Sequence, residues 1–159
     1  MPLCLALDSP DATKKLGADL VRCLPIPSVV LLSGELGTGK TTLVQGLAKA
    51  LGVDEPVTSP TFNLLNEYCD HNSIPLYHFD LYRLKPVGVA QLAPDLYWEG
   101  VEVDPGITVI EWCERLPFLP ESYVSITLKH RQDGGREAVI DEVGESFALE
   151  TLNLRERES

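Results

Sequence analysis

Apolar positions change their period several times along the chain, and each change predicts an element. The short apolar run from Leu3 to Leu7 predicts a strand. Ser9-Pro10 then offers a helix N-cap followed by proline at the first helical position, where its missing N–H is not needed. Leu16, Leu20, Val21 and Leu24 mark one face of that helix, which stops before Pro25-Ile26-Pro27. A second apolar run, residues 28–32, predicts another strand; a glycine-rich loop follows, then a helix reaching Leu51 with Gly52 as its C-terminal glycine.

Further on, Pro60 keeps the polar segment Val57-Thr58-Ser59-Pro60-Thr61-Phe62 from being helical. Residues 62–69 and 75–84 are strand-like and flank the turn Asp70-His71-Asn72-Ser73, which predicts an antiparallel hairpin. Residues 86–106 are the least regular, with a short helix expected at 87–92. Ile107-Thr108-Val109-Ile110-Glu111-Trp112 is continuously apolar up to a carboxylate, the pattern of a buried central strand. Residues 123–128 and 136–143 form a second hairpin across Gln132-Asp133-Gly134-Gly135. From Gly144 an edge strand is expected, with a frayed tail over about residues 152–159. The sum is an α/β fold: a mixed sheet, parallel near the glycine-rich loop and antiparallel elsewhere, flanked by helices.

That loop, Gly34-Glu35-Leu36-Gly37-Thr38-Gly39-Lys40-Thr41, matches the phosphate-binding spacing G-x-x-x-x-G-K-[ST] in its required context of strand, turn and helix. Glycines let the backbone approach phosphates closely. Successive N–H groups then point inward at the positive end of a helix dipole. Lys40 adds a full charge at the β/γ-phosphates, and the Thr41 hydroxyl is placed to ligate Mg²⁺. Glu35, Leu36, Gly37, Thr38, Gly39, Lys40, Thr41 and Thr42 are therefore the expected nucleotide contacts. A guanine-specificity motif, N/T-K-x-D, is absent from the sequence, which favours ATP over GTP.

Composition narrows the partners rather than the fold. The 159 residues are expected to form a single domain, long enough to bury roughly two thirds of its unfolded surface. A net charge of −11, with Lys and Arg scattered, argues against binding nucleic acid alone and for a basic protein partner. The four cysteines are too widely spaced for a zinc site or a disulfide framework. Neither a signal peptide nor a membrane span is legible, so a cytoplasmic protein is expected.

Phosphoryl transfer also needs a carboxylate for Mg²⁺, a group to orient the nucleophile, and charge compensation. Asp80 lies inside its strand run, whereas Asp141 more closely follows the usual ending of an apolar strand in Asp-Glu; Asp80 is favoured, because Asp141 follows a Gly-Gly hairpin near the chain end. Glu111 lies at the C-terminal end of its strand, where ligands bind in open α/β sheets; it is either the residue that orients water or an ion-paired glutamate. Trp112 is either core or a stacking surface for a base. Thr58, Ser59 and Thr61 form either an ordinary proline-containing loop or, from their position, the γ-phosphate-sensing loop of nucleotide hydrolases, and Thr61 is a further candidate Mg²⁺ ligand beside Thr41, Asp80 and Glu111. By period-two geometry His78 and Tyr82 share a strand face with Asp80, and Arg83 faces the other way.

Together the motifs Gly34–Thr42, Thr58-Ser59-Pro60-Thr61-Phe62, His78-Phe79-Asp80-Leu81-Tyr82-Arg83-Leu84 and Ile110-Glu111-Trp112 resemble the bacterial tRNA threonylcarbamoyladenosine biosynthesis ATPase family, TsaE. The resemblance implies a P-loop NTPase fold and a small ATP hydrolase that works with the TsaB–TsaD heterodimer to sustain turnover; with no unambiguous arginine finger in the sequence, hydrolysis is expected to be slow alone and faster with partners. tRNA would be held only indirectly, through those partners. It also implies Lys40 and Thr41 as phosphate and Mg²⁺ contacts, Asp80 as an Mg²⁺ holder, Glu111 as the catalytic carboxylate and 58–61 as a switch-like segment. Tyr82, Arg83 and Trp112 would be nucleotide or partner contacts. The chain departs from the family pattern around Leu92–Tyr97: Ala93 stands near a usual glycine, and Leu96 replaces an acidic residue before the tyrosine. Two alternatives are a small P-loop kinase with Arg131 and Arg136 as lid arginines, and a nucleotide-gated binding module that does not require hydrolysis.

Overall fold

The structure is a computed structural model that describes residues 2–60, 64–69, 74–144, 149 and 152. Strand β1 (Leu3–Leu7) leads into α1 (Pro10–Cys23), whose first turn is capped by the Ser9 hydroxyl oxygen accepting from the Ala12 N–H at 3.1 Å. β2 (Ser28–Gly34) and α2 (Lys40–Ala50) flank the glycine-rich loop. Gly52, one residue past the helix cap, takes φ +92° and donates its N–H to the Lys49 carbonyl, closing α2 as expected.

The two expected hairpins form. β3 (Leu65–Tyr68) pairs antiparallel with β4 (Leu76–Asp80), and β6 (Tyr123–His130) with β7 (Arg136–Val143). The turn 70–73 lies outside the described residues. β4 ends earlier than its apolar run suggests. Past Asp80, the Leu81 N–H donates to the Glu111 carbonyl and the Leu84 N–H to the Leu81 carbonyl, so residues 81–84 fold into a turn around the fully buried Leu81. Tyr82 and Arg83 are therefore exposed turn residues, not opposite faces of a strand. α3 (Pro86–Leu92) matches the expected short helix; α4 (Asp95–Glu99) was not anticipated. β5 (Ile107–Glu111) is buried at every position.

Among the described residues seven strands form one sheet in the order β1-β7-β6-β2-β5-β4-β3. β2 runs parallel to both neighbours, β5 and β6, and β4 parallel to β5; the outer pairings are antiparallel. Period-two alternation splits the core between the faces. Val30 and Leu32 pack with α1 and α2, whereas Val29 and Leu31 pack with Phe79, Val89, Tyr97 and Trp98 on the other side. The two helices of the first face touch backbone to backbone. A Cβ on Gly46 would lie 2.1 Å from the Lys14 carbonyl oxygen, and one on Gly17 2.3 Å from that of Leu43.

Leu149 and Leu152 join that first core, joined to each other by a Leu152 N–H bond to the Leu149 carbonyl, so the chain is still packed where fraying was expected to begin. The edge strand expected after Gly144 falls mostly on residues outside the described ones. Among the described residues no helix is long and apolar enough to cross a membrane.

Candidate active site

The loop between β2 and α2 owes its shape to two glycines in particular. At Gly34 a Cβ would meet the Leu128 carbonyl oxygen and Thr38 Oγ1 at 2.7 Å, so only glycine lets the strand end this close to β6. Gly39 opens α2 at φ +101° without a side-chain cap, leaving first-turn N–H groups free to meet an anion. Thr38 is fully buried. Its hydroxyl donates to the Glu35 carbonyl at 2.7 Å and its N–H to the same oxygen at 3.3 Å. Thr38, expected as a nucleotide contact, thus turns its side chain inward and closes the loop on itself.

Parallel pairing sets Asp80 of β4 directly across from Glu111 of β5, with Leu32 of β2 on the other side of Glu111. His78, two residues before Asp80, faces the same way, as period-two geometry predicts. Glu111 is 4% exposed and engaged on both oxygens. Lys40 Nζ stands 3.5 Å from Oε1, and His78 Nε2 2.7 Å from Oε2. Burial alone would raise the Glu111 carboxyl, but the His78 hydrogen bond, its charge and Lys40 outweigh it and leave the pKa below its ordinary 4.5. Asp80 moves the other way. Burial raises it, the Tyr82 N–H donating to Oδ1 at 3.1 Å offsets part of that, and the Glu111 charge adds to it. Two neighbouring carboxylates are therefore driven apart in acidity, a pattern that separates their chemical roles. His78 Nδ1 is buried and has no hydrogen-bond partner among the described residues.

The polar segment after α2 is tethered at both ends. Gln45 Nε2 donates to the Val57 carbonyl and Asn66 Nδ2 to that of Thr58, both at 3.1 Å, while the Thr58 N–H donates to the Tyr68 hydroxyl at 3.3 Å. At Pro60, the last described residue of the segment, the carbonyl accepts from the Leu64 N–H at 3.2 Å, and the Leu64 carbonyl accepts from the Asp80 N–H at 2.9 Å, linking the segment to the carboxylate strand. Thr61 lies outside the described residues. Opposite this segment, Trp112 leaves β5 at φ +60°, a rare conformation for a bulky residue, which turns it out of the strand run. The residue is 37% exposed, its ring centre lies 4.8 Å from that of Tyr82, and the Arg115 guanidinium lies 5.9 Å from that centre.

These parts enclose one cleft of about 1020 Å³, lined by Gly34, Glu35, Leu36, Gly37, Gly39, Lys40, Thr41, Thr42, Ser59, Asp80, Tyr82, Glu111 and Trp112. Of the loop residues expected to contact nucleotide, all but Thr38 line it, as do Ser59, Asp80, Tyr82, Glu111 and Trp112; Thr58, His78 and Arg83 do not. Asp141 does not: it is exposed on β7, two strands from β2. The donors suited to a divalent cation are the Thr41 hydroxyl and the Asp80 carboxylate. A hard cation such as Mg²⁺ takes such oxygen ligands, one or two from protein and the rest from phosphates and water. Glu111 fits a ligand role less well than expected, since basic groups occupy both its oxygens.

The sequence profile of the threonylcarbamoyl adenosine biosynthesis protein TsaE matches residues 7–138. The chain belongs to the TsaE family. The tRNA threonylcarbamoyladenosine biosynthesis protein TsaE of Nostoc sp. is 52% identical over 130 residues, covering 82% of this chain and 80% of the relative. The Treponema pallidum protein of the same description is 40% identical, over 86% of this chain and 98% of the relative. Among solved structures, Bacillus subtilis YdiB superimposes with a TM-score of 0.76 at 29% identity, covering all of this chain and 97% of that one. The TsaE family takes part in tRNA threonylcarbamoyladenosine biosynthesis, and its fold is that of a P-loop NTPase.

Sequence reasoning missed two contacts that hold the loop from behind: His130 was not singled out, and Arg136 was read only as a lid arginine of the kinase alternative. His130 Nε2 reaches the Leu36 carbonyl and Arg136 Nη2 that of Gly37. They lie 94 and 99 residues away along the chain, and no local pattern marks them.

Proposed function

We propose that this chain is a single-domain, Mg²⁺-dependent ATPase of the cytoplasm that works with a TsaB–TsaD heterodimer to sustain threonylcarbamoyladenosine modification of tRNA. The observation that carries this reading is the meeting of Lys40, Asp80 and Glu111 in the cleft of one phosphate-binding loop. Phosphates entering that loop compete with Glu111 for the Lys40 ammonium. As Lys40 turns to them, Glu111 keeps its His78 hydrogen bond and frees Oε1 to orient an attacking water. The lowered Glu111 pKa keeps it ionised at neutral pH, able to accept a hydrogen bond or a proton from the attacking water. Mg²⁺ held by Thr41 and Asp80 would neutralise charge on the phosphates. Trp112 and Tyr82 offer an aromatic surface for the adenine base, and their exposed edges a contact for the partner. With a net charge of −11, the chain leaves tRNA to the partners.

The kinase alternative loses its lid. Arg131 pairs with Asp8 and Asp133, and Arg136 bonds three carbonyls, so neither projects into the cleft. ATP turnover by the purified chain, measured with and without its organism's TsaB–TsaD pair, tests the proposal. A slow rate that rises several-fold with the pair is expected, because no arginine among the described residues lines the cleft to stabilise phosphoryl-transfer charge. ATP binding without any turnover, alone or with the pair, would favour a nucleotide-gated module instead.

A further inference from the structure

The tip of the β6–β7 hairpin stands outside the cleft yet grips the phosphate loop from its outer side. The Arg136 guanidinium donates from Nη1 to the carbonyls of Gly134 at 2.8 Å and Gly135 at 3.1 Å, and from Nη2 to the Gly37 carbonyl at 3.1 Å. His130 Nε2 donates to the Leu36 carbonyl at 3.3 Å. The tip is itself braced. Arg131 Nη1 meets Asp8 Oδ1 at 3.1 Å and Nη2 meets Asp133 Oδ2 at 2.7 Å, while the Arg131 N–H donates to the Gly135 carbonyl at 3.0 Å.

These contacts set the direction of the loop's amides. In a trans peptide the carbonyl and the following N–H point to opposite sides. Holding the Leu36 carbonyl on His130 therefore turns the Gly37 N–H away from the hairpin and toward the cleft that Gly37 lines. Holding the Gly37 carbonyl on Arg136 turns the Thr38 N–H back to the Glu35 carbonyl at 3.3 Å, the bond that closes the loop. An inward-facing amide at Gly37 and a closed turn at Thr38 are what a phosphate-binding loop needs before a phosphate arrives.

We infer that Arg136, assisted by His130, is a positioning residue: the β6–β7 hairpin clasps the phosphate loop in its phosphate-receiving conformation. The ligand in this statement rests on the nucleotide reading above; the conformational part does not. Arginine is required because one planar fork serves three carbonyls on two segments, a task for which the ammonium of lysine lacks the geometry.

The test uses the full chain and its Arg136→Gln, Arg136→Lys and His130→Ala variants. Amide hydrogen exchange without nucleotide should show Thr38 exchanging about tenfold faster in Arg136→Gln, with central-strand amides such as Val30 and Ile110 unchanged. ADP and inorganic tripolyphosphate should each bind about tenfold more weakly, because the preformed loop receives phosphate from either. Arg136→Lys should not restore binding, and His130→Ala should give a smaller change in the same direction. Wild-type exchange at Thr38 together with wild-type affinity would overturn the clasp. Faster exchange across the whole sheet would also overturn it, reducing Arg136 to a general stabiliser. If the wild-type chain binds neither ADP nor tripolyphosphate, the nucleotide reading fails, and the Thr38 exchange rate alone decides the clasp.

Discussion

Replacing Glu111 by glutamine is expected to move ATP binding and ATP hydrolysis in opposite directions. In the nucleotide-free site, Lys40 Nζ lies 3.5 Å from Glu111 Oε1. Unit charges at that distance attract by about 5 kcal/mol in an effective dielectric of about 20, before either group's desolvation is counted. With 18% of the Lys40 side chain open to water, the pair stands between an exposed and a fully buried one, and a net worth of about 1–1.5 kcal/mol follows. A nucleotide that recruits Lys40 must overcome this contact. Glutamine removes the competing charge while its side-chain carbonyl can still accept from His78 Nε2, so the site keeps its shape. ATP should then bind about tenfold more tightly, the equivalent of about 1.4 kcal/mol. Hydrolysis should fall by about 10²–10⁴, the usual worth of a positioned general base. Calorimetric titration gives the first quantity, and single-turnover phosphate release gives the second. Affinity equal to or weaker than wild type would show that phosphates do not displace Glu111 from Lys40. Hydrolysis at close to the wild-type rate would remove Glu111 from the chemistry altogether.

Two further outcomes follow from packing and from acidity. Gly46→Ala places a methyl group 2.1 Å from the Lys14 carbonyl oxygen, which only a shift of α1 can relieve. Overpacking against backbone costs about 3 kcal/mol and the helix propensity of alanine returns about 1, so the melting temperature should drop by about 4–8 °C in scanning calorimetry. An unchanged melting temperature would mean that the helices do not cross this closely. Because the Glu111 pKa is lowered from 4.5 on folding, the stability it contributes is complete above pH 4.5 and is lost as pH falls through the folded value. The melting temperature of the wild-type chain should therefore fall more steeply below pH 4.5 than that of Glu111→Gln, and parallel acid limbs would contradict the lowered pKa. Asp80, raised from 3.8, carries the opposite sign: its contribution is complete below pH 3.8 and fades as pH rises through its folded value.

Most of the local architecture was legible in the chain. The alternation of apolar runs and helical faces marked β1, α1, β2, α2, both hairpins and β5, because side-chain period reflects secondary structure directly. The errors fell where a local pattern met a tertiary constraint. Residues 75–84 read as one strand, but burial of Leu81 and its N–H bond to the Glu111 carbonyl turn the chain after Asp80. Trp112 read as the last strand residue, yet its left-handed backbone swings the ring beside Tyr82. α4 escaped notice because five residues are too short for a 3.6-residue period to register.

Sequence alone determined the phosphate loop, since the glycines, Lys40 and Thr41 that define it are neighbours and their spacing is the site. It also singled out Asp80, inside its strand run, and Glu111, at a strand end, as candidate carboxylates. Only the tertiary structure decided that these two face each other, because the parallel register of β4 on β5 pairs residues 31 positions apart, a distance no local period encodes. The same holds for the His78–Glu111–Lys40 chain of contacts, which fixes the acidity of Glu111, and for the grip of Arg136 on Gly37. Local spacing specifies a backbone shape and the residues along it. The charge state and orientation of those residues depend on groups brought near by strand pairing, and strand order is a property of the folded sheet.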